Sequence, residues 1–408
     1  MNAALQPGAV MSEIDPFVIT PKPTAHFGVG AIEQLPSIVR GTGADAVVVV
    51  TDAALAATPV IATVTEILAG AALPAHLFTG VHPNPTTDDL AAGAQAVAEA
   101  AALARTAGSG RVTLVAVGGG SPIDAAKGIA LAAVNPQRGR DLDYRLDFAA
   151  AALPIVAVPT TAGTGAETNS FGVVTDPVAH RKFYVGHASS MPAAAILDPA
   201  LTVGLPPAVT AATGMDALTH ALESYLSLRP NPWSDGIALQ VIKMIAGHLP
   251  RACADGTDLG ARSQMLLAAH LAGVAMANTG LGVCHAIGHS LGGRWNIAHG
   301  VALSMLLPDV LRFNLPVRTQ RLADIAFALG VGDTRAEVSR NAAAAIDAVA
   351  ALRERVGLTA LIGDFGITEA DFAQIAADAL DDEVLLNTPR TPTRSDIDAI
   401  LTARVGRA

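Results

Sequence analysis

Val112-Thr113-Leu114-Val115-Ala116-Val117-Gly118-Gly119-Gly120-Ser121-Pro122 is the stretch on which the fold turns. Residues 112–117 are an almost unbroken apolar, β-branched run, the pattern of a strand buried on both faces. Gly118 to Ser121 end it, and Pro122 opens a helical stretch through Ala125, Ala126 and Lys127. Proline fits the first turn of a helix because its missing N–H would be unpaired there anyway. Glycines let backbone approach a ligand closely, and the free N–H groups of a helix start attract an anion. The turn therefore reads as a pyrophosphate site, or as a plain strand-to-helix turn; it is neither a Walker A sequence nor a G-x-G-x-x-G fingerprint.

Working outward, Ala46 to Thr51 and Pro154 to Val158 are further continuous apolar runs, and a helical stretch covers about Thr87 to Thr106. Alternating strands and helices predict a parallel sheet covered by helices. After about residue 205 the strand signals stop. Helical patterns follow at Pro206–Leu226, Pro232–Ala254, Gly260–Thr279 and Thr334–Val356. Thr368 before Glu369 and Asp371, and Ser395 before Asp398, carry cap-like patterns. The expected fold class is α/β plus all-α: an irregular segment 1–20, an α/β dinucleotide-binding domain 21–205, and an all-helical domain 206–408. No internal repeat or low-complexity linker interrupts it.

The 408 residues are 51% hydrophobic and 15% charged, which excludes a disordered chain. A net charge of −10 argues against a nucleic-acid partner, and no Lys/Arg cluster flanks an apolar helix to suggest a membrane surface. Cys253 and Cys284 are too few for a disulfide framework, so a reducing, cytoplasmic setting is expected. The first basic residue is Lys22, so the charged start of a signal peptide is not expected. The longest stretch free of both charged residues and histidine, Phe148 to Ala166, contains Pro154, Pro159 and a Thr/Gly-rich second half, and reads as a buried strand followed by a functional loop rather than a membrane span.

Two further strand ends look chemical. Asp52 follows the first run, where a carboxylate hydrogen-bonds a ribose 2′-hydroxyl and repels a 2′-phosphate; a helix-cap aspartate is the plainer alternative. Pro159-Thr160-Thr161-Ala162-Gly163-Thr164-Gly165-Ala166-Glu167 follows the third run, with hydroxyls and glycines suited to a cofactor. Six of the 11 histidines fall between His220 and His299. Asp216 and His220 stand at i and i+4 on one helix face, and His285 and His289 repeat that spacing. A carboxylate with several imidazoles is a ligand set for Fe²⁺ or Zn²⁺. Spacing alone leaves Asp216, His220, His285, His289 and His299 as candidates for three or four ligand places. His248 and His270 read as ordinary helix histidines.

Together these motifs resemble the iron-containing (group III) alcohol dehydrogenase family over roughly residues 20–400. Phe27-Gly28-Val29-Gly30 is like its N-terminal strand and Pro83-Asn84-Pro85-Thr86 like its V-x-P-N-P-T segment. GGGSPIDAAK at 118–127 and PTTAGTGAE at 159–167 are similar to its cofactor loops. GMDALTHALE at 214–223 and the stretch from His285 to Gly300 are similar to its metal segments. The resemblance implies Asp216, His220, His285 and His299 as metal ligands, with His289 beside the nicotinamide and in a proton path. It implies Asp52, Gly119, Gly120, Ser121, Thr160, Thr161 and Thr164 as cofactor contacts, with Asn84 and Lys182 weaker carry-overs. The implied activity is hydride transfer between NAD(H) and a small alcohol, aldehyde or ketone whose oxygen a metal polarises, Fe²⁺ or alternatively Zn²⁺. A homo-oligomer, dimer or larger, is implied as well. The intact Asp/His set points away from the family's metal-independent reductases of maleylacetate. One departure is Asn387-Thr388-Pro389-Arg390, where many members have a compact N-P-R. The rival readings are a metal-dependent lyase of the dehydroquinate-synthase kind, for which Arg294 is the one phosphate-binding candidate, and a metal-binding protein without catalysis.

Overall fold

The computed structural model describes residues 17–19, 23–106, 108–178 and 181–405. The expected irregular segment 1–20 lies outside the described residues apart from 17–19, as does Lys22. In the first half the β-branched runs become strands and the alanine-rich stretches helices. The elements are β1 (Thr24–Phe27), α1 (Leu35–Gly41), β2 (Ala46–Asp52), α2 (Ala53–Ala56), α3 (Pro59–Gly70), β3 (Ala75–Val81), α4 (Thr87–Ala104), β4 (Val112–Gly118), α5 (Gly120–Ala132), β5 (Ile155–Pro159), β6 (Phe171–Asp176), β7 (Arg181–Gly186) and β8 (Ala194–Leu197). Six strands form one parallel sheet in the order β1-β8-β5-β4-β2-β3; β6 and β7 form a separate antiparallel pair.

The period-2 alternation of strands distributes the valines between two cores. Val47, Val49, Val115 and Val117 pack with Leu35, Val39, Val64 and Leu68 of α1 and α3 on one face. Val48, Val50, Leu114 and Ala116 meet Leu90, Val97, Ile123 and Ile129 of α4 and α5 on the other. Burial on both faces explains why β2, β4 and β5 read clearly in the sequence. By contrast β3 is an edge strand with a mixed burial pattern, and β8 is only four residues long. From β2 the chain first goes outward to β3, then returns to place β4 on the other side of β2. Such a reversal opens a crevice beyond the carboxyl ends of the two strands, the usual ligand position in an open α/β sheet. Asp52 ends β2 and Gly118 ends β4, so both stand at that crevice.

The second half is helical: α6 (Pro207–Leu226), α7 (Pro232–Ala254), α8 (Leu259–Thr279), α9 (Val283–Trp295), α10 (His299–Ala328), α11 (Val338–Arg355), α12 (Phe372–Leu380) and α13 (Arg394–Thr402). A single apolar core joins them. From Thr210 onward α6 is buried almost continuously, so it is an axial helix rather than an amphipathic cover. Among the described residues α10 alone is long and apolar enough to cross a membrane; two thirds of that stretch is buried inside the fold and the helix kinks at Arg318. Asp371 accepts from the Thr368 N–H, as the cap pattern there predicts. The expectation at Ser395 is corrected: Thr393 and Asp396 exchange reciprocal cap bonds, which start α13 two residues earlier and leave Ser395 inside it.

Candidate active site

Asp216 and His220 lie one turn apart on the buried α6, which points both into the same interior space. Gly280, at φ 76°, ends α8, and α9 leaves at 108° to it. That bend brings His285, one turn into α9, against α6. His299 begins α10 after a left-handed Asn296. Asp216 Oδ1 is 3.3 Å from His220 Nε2, 3.8 Å from His285 Nε2 and 3.7 Å from His299 Nε2. Asp216 Oδ1 and His285 Nε2 are buried without a hydrogen-bond partner. Buried polar atoms left unpaired cost free energy, and several converging on one point suit a cation between them. Asp216, His220 and His285 are all buried and their ligand atoms lie within 4.8 Å of one another. The donor set, one carboxylate oxygen and imidazole nitrogens, fits Fe²⁺ or Zn²⁺.

Electrostatics agree with that geometry. Burial acts to raise the Asp216 pKa, yet His220, His285 and His299 together hold it well below the usual carboxylate range. Burial acts to lower His285, but Glu223 and Asp216 carry it up to about 9. Glu223 is the residue that sequence reasoning passed over. Its Oε2 accepts from His285 Nδ1 at 2.6 Å, and its two oxygens also accept the Gly282 and Cys284 N–H groups at 3.0 and 2.7 Å. A carboxylate behind a ligating histidine fixes its tautomer and ring orientation. The signal was present, because Glu223 follows His220 by three residues on the same helix. His289 has an equivalent partner in Asp382, whose Oδ2 lies 2.7 Å from Nδ1. Ninety-three positions separate these two, beyond any local spacing rule.

A cleft of about 830 Å³ runs from these groups to the strand ends. Asn84, Gly120, Ser121, Thr164 and Lys182 line it together with Asp216, His220, His285, His289 and His299. Lys182 Nζ donates to Asn84 Oδ1 at 2.9 Å. Asp52, Gly119, Thr160 and Thr161 are not on that cleft's walls. Asp52 caps α2, accepting the Leu55 N–H at 2.8 Å, which is the plainer role weighed from sequence. Gly119 and Gly120 sit so close to the neighbouring loop that a Cβ would stand 3.2 Å from Thr161 and 3.0 Å from Thr164. The turn and the Thr-rich loop are thus packed as one surface at the start of α5. Behind it, Lys127 is wholly buried and donates to Asn169 Oδ1 and the Phe171 carbonyl, at 2.8 and 2.5 Å. His270 pairs with Glu167 at 3.0 Å and His248 bonds the Met244 carbonyl, in keeping with their reading as ordinary helix histidines.

Comparison with known proteins gives this arrangement a family. Residues 22–199 match the description "Iron-containing alcohol dehydrogenase", and residues 210–405 match "Fe-containing alcohol dehydrogenase family, C-terminal". The chain is 43% identical over 303 residues to the probable alcohol dehydrogenase EutG of Escherichia coli, covering 74% of this chain and 75% of that one. It is 36% identical to the lactaldehyde reductase of Escherichia coli over 92% of this chain and 96% of the relative. The solved structure of a 1,3-propanediol oxidoreductase superposes with a TM-score of 0.87 at 35% identity, covering 96% of this chain and all of that one. A sulfoacetaldehyde reductase from Bifidobacterium kashiwanohense, solved with NAD⁺, superposes at 0.84 and 26% identity, covering 97% and 100%.

The chain belongs to the iron-containing alcohol dehydrogenase family. It is an NAD-dependent, metal-dependent oxidoreductase of small alcohols and aldehydes. The comparisons give no support to the lyase reading, and Arg294, its phosphate candidate, is engaged by Asp378.

Proposed function

We propose that Asp216, His220, His285 and His299 hold the divalent metal, and that the cofactor lies between this cluster and the Gly119–Ser121 turn. The observation that carries the reading is the convergence of unpaired, buried Asp216 Oδ1 and His285 Nε2 at the inner end of the cleft. Bound there, the cation supplies Lewis-acid polarisation of the substrate oxygen and lowers the pKa of an alcohol. A nicotinamide held in the cleft would supply the hydride acceptor or donor, and the protein's part would be to orient it against the substrate. Thr160, Thr161 and Thr164 belong in this reading to the cofactor site, with Asn84 and Lys182 on its opposite wall. Asp52, at the end of β2, takes the adenosine ribose and favours NAD over NADP. His289 accepts the hydroxyl proton and passes it toward solvent. Met276, Leu281, Val384 and Leu386 make the cleft apolar beside the imidazoles, which suits a short aliphatic substrate. The finer reading extends to setting and assembly: a cytoplasmic homo-oligomer. Its two cysteines are both free, as a reducing compartment requires.

The experiment compares NADH oxidation by metal-stripped protein with protein reloaded anaerobically with Fe²⁺ or Zn²⁺, over a panel of short aldehydes and ketones. Reloading restores turnover, and His285→Ala neither retains metal nor turns over. A His285→Ala protein with normal metal content and normal rate would remove His285 from the centre.

A further inference from the structure

His285 and His289 stand one turn apart on α9, and each offers its Nδ1 to a carboxylate, Glu223 at 2.6 Å and Asp382 at 2.7 Å. Asp382 itself is held. Its second oxygen accepts the Val384 N–H at 3.0 Å. The next residue, Glu383, is held by the Tyr144 hydroxyl at 2.7 Å and by Arg145 at 3.3 Å, both from the α/β half. We propose that Asp382 is a positioning residue that holds His289 as its Nδ1–H tautomer, so that the bare Nε2 is the proton acceptor in the cleft.

An ionised carboxylate is acceptor-only, so its bond to Nδ1 requires a proton on Nδ1, and a neutral imidazole then has its lone pair on Nε2. His289 lines the cleft beside the metal-site imidazoles, with its ring stacked on that of His299 at 5.6 Å between centroids. The proton balance is simple. The alcohol O–H bond breaks, an N–H bond forms at Nε2, and the imidazolium faces the Asp382 carboxylate until it releases that proton to solvent. The proposal rests on the reading of His289 as the proton acceptor, and its test separates the two.

The test uses zinc-loaded enzyme carrying ¹⁵N-histidine, at about pH 9. His289→Gln identifies the His289 signals by their loss. Wild type shows a protonated Nδ1 and a bare Nε2. Asp382→Asn keeps that pattern, because its amide oxygen still accepts the Nδ1 proton, and retains most of kcat. Asp382→Ala moves the proton to Nε2 and lowers kcat roughly 10–100-fold, with the KM for NADH within about twofold. A wild-type ring protonated on Nε2 or on both nitrogens overturns the proposal, as does an unchanged tautomer in Asp382→Ala. A tautomer shift without loss of kcat upholds Asp382 as the positioning residue and removes His289 from the proton path.

Discussion

At the scale of single residues, the acidic groups behind the histidines explain more than the histidines alone. The raised pKa of His285 has a defined sign. Its folded value of about 9 lies above an unfolded value of about 6.5. Without metal, the protonated ring therefore stabilises the fold fully below about pH 6.5, and the contribution is lost as pH rises through about 9. A metal bound as proposed must displace that proton. The affinity for Zn²⁺ is expected to climb about tenfold per pH unit from about pH 7 to about 9 and then level off. Glu223→Ala removes the largest cause of the raised value and the anchor of the ring together. It should weaken Zn²⁺ binding roughly 10–100-fold at the plateau and move the break to lower pH. Chelator-competition titrations at several pH values measure both effects. An affinity that stays flat across this range would separate His285 from the metal.

At the scale of elements, the sequence is legible where one element is buried on all sides and faint where it is exposed or short. β2, β4 and β5 read directly from valine runs, and α6 to α8 from long helical patterns. The edge strand β3 mixes polar and apolar residues, β8 is only four residues long, and β6 and β7 pair with each other outside the main sheet, so none of them carries a long apolar run. The same holds for the site. Asp216, His220 and His285 are legible through helical spacing, whereas Asp382 reaches His289 only because α12 returns against α9. The Thr-rich loop shows what such packing demands. Gly165 lies at φ +60°, and a Cβ there would stand 2.7 Å from the Cα of Gly273 on α8. Gly165→Ala combines a left-handed alanine, about 1–2 kcal/mol, with overpacking of about 1–3 kcal/mol. The expected result is a loss of roughly 2–5 kcal/mol in stability and weaker NADH binding as the 159–167 loop is pushed off α8. Denaturant unfolding and NADH fluorescence titration measure the two. An alanine variant as stable as wild type would mean that the two backbones separate freely, contrary to their close packing.

At the scale of the whole molecule, the cleft proposed as the active site is a seam between two differently built halves. In the proposed site the sheet half supplies the cofactor-binding loops at the carboxyl ends of its strands, and the helical half supplies the imidazoles. Neither half holds both, so the relative placement of the halves decides how well the reacting groups are aligned. A polar tie crosses the seam at its outer edge, where Tyr144 and Arg145 of the sheet half reach Glu383 of the helical half. All three residues line a cavity of about 1030 Å³ that also includes Asn84, Lys182 and His289. The ion pair is exposed, so it adds at most about 1 kcal/mol to overall stability. Its effect should appear in binding, because a cleft already held near its bound geometry loses less freedom when cofactor enters. Glu383→Gln keeps an acceptor for the Tyr144 hydroxyl and removes the charge pair; Tyr144→Phe removes the hydroxyl. Each is expected to weaken NADH binding roughly two- to fivefold, the equivalent of about 0.5–1 kcal/mol. The double variant should fall short of the product of the two, since both changes cut the same tie. Thermal midpoints should move by no more than about 2–4 °C. Strictly multiplicative losses would mean that Tyr144 and Glu383 act on the cofactor separately, and that the halves are held by their apolar contacts alone.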